Sequence, residues 1–310
     1  MAKEKIRDLD NSTVNDGSHA IHRFTIGDFL IILFLVILCL TCILPFIHLA
    51  VKSVSSNTAV MQRAVVLWPV GLNFDAYASI FQDGTLVRSF LYSVMVVLIF
   101  TVLGMITCTC AAYPLSRKRL KGRAFFTVLL MIPMYFNAGL IPWYTNMLML
   151  GLTGNFLAYI IPGMVAPYNI ILVKTYIESI PGSLEESAII DGASTSKVFL
   201  RIILPLSIPI LATISIFGAV GNWNSFQDSL LLMSSTPNLY TLQHRLYVYL
   251  NQTTSINTEQ ISEQMAQNLL NNGITTKYTI AMVTIIPILL VYPFMQRYFV
   301  KGIMLGAVKG

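Results

Sequence analysis

Charge is what this chain has least of: Asp, Glu, Lys and Arg make up only 11% of its 310 residues, whereas 55% are hydrophobic. Soluble domains carry about 25% charge, and together with a mean hydropathy of +0.69 the shortage excludes a soluble fold and places the chain in a bilayer. Cysteine is scarce as well. Cys39, Cys42, Cys108 and Cys110 are the only four, and each lies inside an apolar stretch. Thiols there act as small buried packing groups, so neither a disulfide framework nor a zinc site is expected, and the Cys39-x-x-Cys42 spacing assigns no redox compartment. A phosphate loop of the form G-x-x-x-x-G-K-[ST] is absent, so the chain cannot handle nucleotide by itself. The net charge of +6 could point to nucleic acid, but the cations flank apolar runs and form no basic face with stacking aromatics. Nucleic-acid binding is excluded on that ground.

What the chain has in abundance is apolar runs. A helix needs about 20 mostly apolar residues to cross the hydrocarbon core, because its backbone groups find no water there. Six segments meet that length, at about 29–51, 90–113, 124–146, 155–177, 203–221 and 279–299, and they predict an all-α membrane protein of six transmembrane helices. The third and fourth carry Pro133, Pro142, Pro162 and Pro167, which kink or interrupt membrane helices. Residues 1–28 form a polar extension with Lys3, Lys5, Arg7 and Arg23. The apolar run behind it is too long for a signal peptide and has no small-residue cleavage site, so it reads as a retained span.

Short loops rich in Lys and Arg stay cytoplasmic. The densest basic cluster, 116–123, follows the second span and fixes that side. With six crossings the amino terminus and the tail bearing Arg297, Lys301 and Lys309 fall on the same side, while the loop between spans three and four carries no charge. The cluster's other role is contact with anionic lipid headgroups.

The apolar cores of the spans contain no Asp and no Glu, and His48 and Lys174 sit near span ends where snorkelling accounts for them. A carrier driven by protons or sodium needs an acid or histidine at membrane depth, and a cation channel needs acidic rings. A membrane-bound transferase needs clustered acids or histidines at an interface. None of these is present, so uphill movement would draw its energy from a partner ATPase.

The candidate receiver for that energy is the cytoplasmic loop between spans four and five. Pro181-Gly182 breaks the chain, and Ser183 with Glu186 three residues on predicts a capping box and a helix start. Gly192 is suited to end the helix in the left-handed conformation, and Ser194 to cap a second one leading into the fifth span. The expected two-helix elbow, 183–202, offers Leu184, Ala188 and Ile189 as apolar contacts and Glu185, Glu186 and Asp191 as charges.

Glu186-Ser187-Ala188, then three residues, Gly192, nine residues, and Ile202-x-Leu204-Pro205 resemble the EAA loop of ATP-binding-cassette importer permeases, departing only at Ser187, where Ala is usual. Trp223-Asn224, Leu239-Tyr240-Thr241-Leu242-Gln243 and the tail from Gln296 to Gly310 extend the resemblance to the carbohydrate-uptake branch and its smaller, maltose-type six-span subunit. The resemblance covers the chain from the first span onward. It implies a type I importer permease domain over 29–310, with the elbow as a coupling helix in which Glu186 contacts the ATPase, Ala188 packs closely and Gly192 makes the turn. It also implies a second homologous permease subunit, two ATPase subunits that hold the ATP and Mg, an extracellular solute-binding protein, an oligosaccharide substrate, a bacterial cytoplasmic membrane with both termini inside, and no cofactor or catalysis on this chain.

A sugar path needs neutral polar groups and aromatic faces. The candidates are Tyr135, Asn137, Trp143 and Tyr144 on the third span, Tyr168 and Asn169 on the fourth, and Asn222, Trp223, Asn224 and Phe226 at the end of the fifth. Interfacial anchoring is the competing reading for Trp143 and Tyr144, and helix–helix hydrogen bonding for the Asn-Trp-Asn run. The outer loop, 225–278, begins with a segment, 239–250, that could be helical and continues into a Gln/Asn-rich stretch. By the same resemblance this loop would meet the binding protein.

Overall fold

The computed structural model describes residues 25–82, 84–251 and 274–293. The amino-terminal extension, the Gln/Asn-rich part of the 225–278 loop, the end of the sixth expected span and the tail lie outside them. The chain divides into two compact units, 1–48 and 49–310. The first unit holds most of helix α1 (Ile26–Ser53). Asp28, in its first turn, accepts the backbone N–H of Thr25 at 2.8 Å, which satisfies a free donor at the helix start. Its long apolar window buries nothing, so every side chain there is available to lipid.

The second unit is helical throughout its described part, where no strand forms beyond an isolated antiparallel bridge between Ser55 and Leu72. Short helices α2 (Asn57–Met61) and α3 (Asp75–Gln82) precede the long α4 (Gly84–Ser116). There follow α5 (Arg123–Tyr135), α6 (Leu140–Met149), α7 (Pro167–Ser179), α8 (Ser183–Ile190), α9 (Thr195–Leu206), α10 (Ile208–Asn224), α11 (Gln227–Leu232), α12 (Leu242–Asn251) and α13 (Ile274–Pro293).

Among the described residues three helices, α1, α4 and α13, are long and apolar enough to cross singly. The third expected span is not one helix. It breaks at 136–139, and α5 and α6 meet at 116°. The cause is local: Asn137 Oδ1 accepts the N–H of Gly139 at 2.8 Å, forming a turn that competes with the helix ladder. The fourth expected span is shorter than its apolar run. A 3-10 turn, Phe156–Tyr159, and an irregular segment precede α7, which starts at Pro167, where the missing N–H costs nothing. Its 13 residues extend about 20 Å against a core of about 30 Å. In the fifth, α9 and α10 bend by 73° at Ser207. Pro205 and Pro209 have no N–H for the ladder, and Phe199–Ile203 widens into a π turn where Leu204 N–H reaches back to the Phe199 carbonyl.

The long α4 is the central rod, packed along α7 and α10. Around its carboxyl half, Cys108, Ala112, Tyr113 and Leu115 meet Ile170, Val173 and Ile177 of α7, Val198 and Ile203 of α9, and Leu211 and Ile214 of α10. Around its amino half, Val96 packs with Tyr159, Leu232 and Tyr240, and Leu86 with Trp223, Leu242 and Ile280. All four thiols are free, but only Cys108 is a buried packer. Cys39, Cys42 and Cys110 are exposed, a correction to the expected packing role: a small thiol on an apolar helix is buried only where another element covers it.

Candidate functional site

The elbow is built by three local devices. First, α8 starts at Ser183 behind Gly182, which makes no side-chain cap, so the expected Ser183–Glu186 capping box is not formed and the carboxylate of Glu186 is left exposed. Second, α8 ends in a Schellman turn: Gly192 N–H donates to the Ile189 carbonyl (3.0 Å) and Ala193 N–H to the Ala188 carbonyl (2.9 Å), with Gly192 at φ +80°. Third, the Ser194 hydroxyl accepts the Lys197 N–H at 3.4 Å and caps α9, as the sequence predicts.

Of the elbow residues, Glu186, Ser187, Asp191 and Gly192 are exposed, and so are Leu184, Ile189 and Ile190, the last at 84%. Ala188 and Leu204 are half-buried against the cluster around Cys108 and Ala112, while Pro205 is exposed. Glu185 is the exception among the acids. It is only 8% exposed and turns inward, ion-paired with Arg117 and, at 3.5 Å, with Arg119 of the loop after α4. Glu185 is therefore corrected from a presented charge to an internal one. Beside it, Arg123 pairs with Glu178, which also takes Lys174 at 3.2 Å.

Above the elbow's packing cluster, α4, α7, α10 and the segment before α7 enclose a cavity of about 320 Å³. Phe100, Met105, Cys108 and Phe217 supply apolar walls, and Asn169 and Asn222 supply amides. The Thr101 hydroxyl, also lining it, is buried with no hydrogen-bond partner. A neutral, apolar chamber with a few convergent donors and acceptors suits an uncharged polar guest with apolar faces. Gly163 permits the closure: a Cβ there would lie 2.6 Å from Cε2 of Phe100.

Of the expected path residues the structure brings Asn169 and Asn222 together at this cavity, and not the others. Trp223 is 9% exposed and faces the opposite way. Its Nε1 donates to the Thr284 carbonyl at 3.2 Å, and its ring meets Phe90 edge-on at 6.0 Å. It fastens α10 to α4 and α13. Asn224 donates to the Val220 carbonyl at 2.9 Å and accepts from Gln243, and Phe226 stacks on Tyr247 at 4.7 Å. Asn137 is used by its turn, and Tyr135 and Tyr168 are surface residues, 75% and 55% exposed. Trp143 and Tyr144 are half-buried against the cluster around Val96. Phe100, Thr101 and Phe217 were not anticipated. The available signal was Gly104, Gly163, Gly218 and Gly221 at membrane depth, where small residues let helices and loops approach.

These positions give a stability prediction. Trp223→Phe keeps the ring contact and loses one hydrogen bond, about 1 kcal/mol, whereas Trp223→Ala removes the side chain that three helices share, about 3–5 kcal/mol. In membranes the Phe variant should accumulate and transport normally and the Ala variant should accumulate poorly. Lost transport by a normally abundant Phe variant would instead give the indole a role with cargo.

Next to Trp223, the segment after α10 docks firmly. Leu242 N–H donates to Ser93 Oγ (2.8 Å), and Arg245 reaches Ser89 Oγ and the Pro237 carbonyl while lying 4.8 Å from the Tyr240 ring centroid. His244, bonded to Ser229 Oγ at 2.8 Å, is pushed down to a pKa of about 4 by burial and then by the Arg245 charge, so it stays neutral. The expected helix in this segment is α12.

A helical membrane bundle that presents a rigid elbow beneath a neutral cavity is built as a permease subunit. The chain belongs to the family of binding-protein-dependent transport system inner membrane components, whose family model matches residues 101–305. It is 36% identical to the polygalacturonan/rhamnogalacturonan transport system permease protein YtcP of Bacillus subtilis, over 91% of this chain and 98% of that one. It is 29% identical to the arabinooligosaccharides transport system permease protein AraQ of Halalkalibacterium halodurans, over 86% of this chain and 91% of that one. A solved structure, that of a bacterial ABC transporter involved in the import of the acidic polysaccharide alginate, includes a chain 33% identical to this one with a TM-score of 0.79, covering 89% of this chain and 99% of that one. The fold is thus the all-α fold of ABC importer permeases, and the chain is a transport component of the bacterial inner membrane and not an enzyme.

Proposed function

We propose that this chain is one of two related permease subunits of an ATP-driven importer for oligosaccharides or polysaccharide fragments, with uronate-containing ones first in order. Two ATPase subunits that hold ATP and Mg grip the elbows from the cytoplasm, a solute-binding protein delivers cargo on the far side, and both termini lie inside. ATP-driven approach of the elbows turns the central path outward toward the binding protein, and hydrolysis returns it inward. The chain does no covalent chemistry.

One observation carries this reading: the elbow and the cavity share one packed cluster. Val198 and Ile203 of α9 are buried against Cys108 and Ile214, and those two residues also line the cavity. Close-packed interiors transmit displacement instead of absorbing it, so a pull on the elbow reaches the cavity wall. The relatives named for polygalacturonan and arabinooligosaccharides, and the alginate importer, supply the cargo class. The cavity's polar side chains, Thr101, Asn169 and Asn222, are neutral and fit sugar hydroxyls. Uronate carboxylates are then read by the binding protein and the partner permease.

The test is uptake of labelled oligogalacturonides, arabino-oligosaccharides and neutral gluco-oligosaccharides by cells with and without this chain. Loss of at least one series on deletion, restored by the chain and dependent on ATP, is the expected result. If no sugar series changes while uptake of an amino acid or phosphate fails, the cargo assignment is wrong.

A further inference from the structure

We propose that the carboxyl end of α4 is the element that holds the elbow and moves with it, and that Arg117 and Glu185 are the positioning residues that fasten α8 there. The inference rests on the reading of the elbow as the part the ATPase moves. Glu185 stands between exposed neighbours on α8 yet is itself buried, because Arg117 and Arg119 take its carboxylate. The two cations are unequal. The Arg119 side chain is 62% exposed and its attraction is screened by water, whereas that of Arg117 is 19% exposed. The Arg117 guanidinium also lies 4.6 Å from the Tyr113 ring centroid, and its Nε and Nη2 find no hydrogen-bond partner. Its charge is therefore balanced by Glu185 and a ring face.

The same tyrosine holds the other half of the elbow. Tyr113 packs on Phe199, beyond the start of α9, at 4.8 Å between ring centres. The last turn of α4 and the loop after it thus grip α8 by charge and α9 by an aromatic contact, with the Gly192 turn between the two grips. From there α4 runs without interruption to Cys108, Met105, Gly104, Thr101 and Phe100 on the cavity wall. A displaced elbow carries this rod with it only while both grips hold. With the Arg117–Glu185 pair removed, α9 stays stacked on Tyr113 and α8 pivots about Gly192.

Spin labels on Lys118→Cys and Ser183→Cys, both exposed positions and the second at the end of α8 far from the Gly192 pivot, in a chain whose four native cysteines are Ser, report the grip directly. The assembled transporter is measured nucleotide-free and with ATP trapped by vanadate. With the pair intact the 118–183 distance is narrow, and the two states agree to within about 2 Å, no more than the helix shifts typical of such transitions. Glu185→Gln and Arg117→Gln broaden the distribution in both states, whereas Arg117→Lys, which keeps the charge facing Glu185 but not the planar stack on Tyr113, broadens it less than Arg117→Gln does. The double neutral variant broadens no further than either single one, since both report one interaction. It also leaves no buried charge uncompensated, so it decides the matter should a single variant fail to accumulate. Unchanged narrow distributions in the Gln variants, broadening in the double variant equal to the sum of the singles, or a wild-type distance that itself shifts with nucleotide by several ångström would overturn the proposal. The nucleotide-free arm tests the grip without reference to ATP. Tight grip there, together with no response of labelled α4 to nucleotide against the partner permease, would fault the reading of the elbow and not the grip.

Discussion

Gly192→Val should lower ATP-driven uptake about 5–30-fold while the chain still inserts in the membrane. A Cβ at this position would meet nothing within 4 Å, so crowding is not the cause. The cause is the backbone: φ is +80°, which costs an L-residue about 1–2 kcal/mol and a β-branched one the upper part of that range. That penalty lowers the ratio of bent to relaxed elbow by a factor of about 5–30, which passes into uptake where the bend is only marginally favoured, and only the bent elbow presents Glu186 and Ile190 together. Relaxing the turn breaks the Ala193-to-Ala188 hydrogen bond that closes α8. Asn tolerates the left-handed region, so Gly192→Asn should retain most of the uptake. Measured as initial rates normalised to membrane abundance, equal uptake by Val and Gly chains would show that the bend is not needed for coupling.

Gly163→Val has the other large effect, on the path itself. The new Cβ would sit 2.6 Å from Cε2 and 2.9 Å from Cζ of Phe100, so the ring must turn. Gly218 lies on its far side, with its own Cβ position 3.7 Å from the ring, which leaves the cavity as the open direction. Overpacking of this kind costs about 1–3 kcal/mol in stability, which a large membrane bundle tolerates, but the ring then occupies the chamber. Uptake should fall to near background at normal abundance. Phe100→Ala in the same chain should restore it, because the blocking ring is gone. Absence of rescue, with both chains abundant, would mean that cargo does not pass this chamber.

Much of this was legible in the residues alone, for physical reasons that differ by element. The membrane class follows from apolar length, and the elbow from short-range signals, Pro181-Gly182, Gly192 and Ser194, that each act within a few residues of themselves. What the sequence concealed is orientation. Glu185 and Glu186 are adjacent and chemically identical, and nothing in their spacing tells that one is clamped by Arg117 while the other is exposed. The unplaced partner was nonetheless in view, as the one dense basic cluster on the elbow's side. For Trp223 the sequence leaves two readings, cargo path and helix–helix hydrogen bond, because an indole between two amides needs partners; the structure shows the second, with the Thr284 carbonyl 61 residues away as acceptor. Interruption of the third and fourth spans was announced by Pro133, Pro142, Pro162 and Pro167, but the turn at Asn137, expected on the path, was not.

The central claim is that the exposed tip of α8 is where an external ATPase takes hold. A photoreactive amino acid at Ile190, 84% exposed on that tip, placed in the assembled transporter in native membranes and irradiated, tests it most directly. An adduct of this chain with the ATPase subunit is predicted at 190 and not at Tyr135, which is similarly exposed but lies away from the elbow. An assembled, transport-competent complex that gives no ATPase adduct at 190, or gives it equally at 135, would contradict the account.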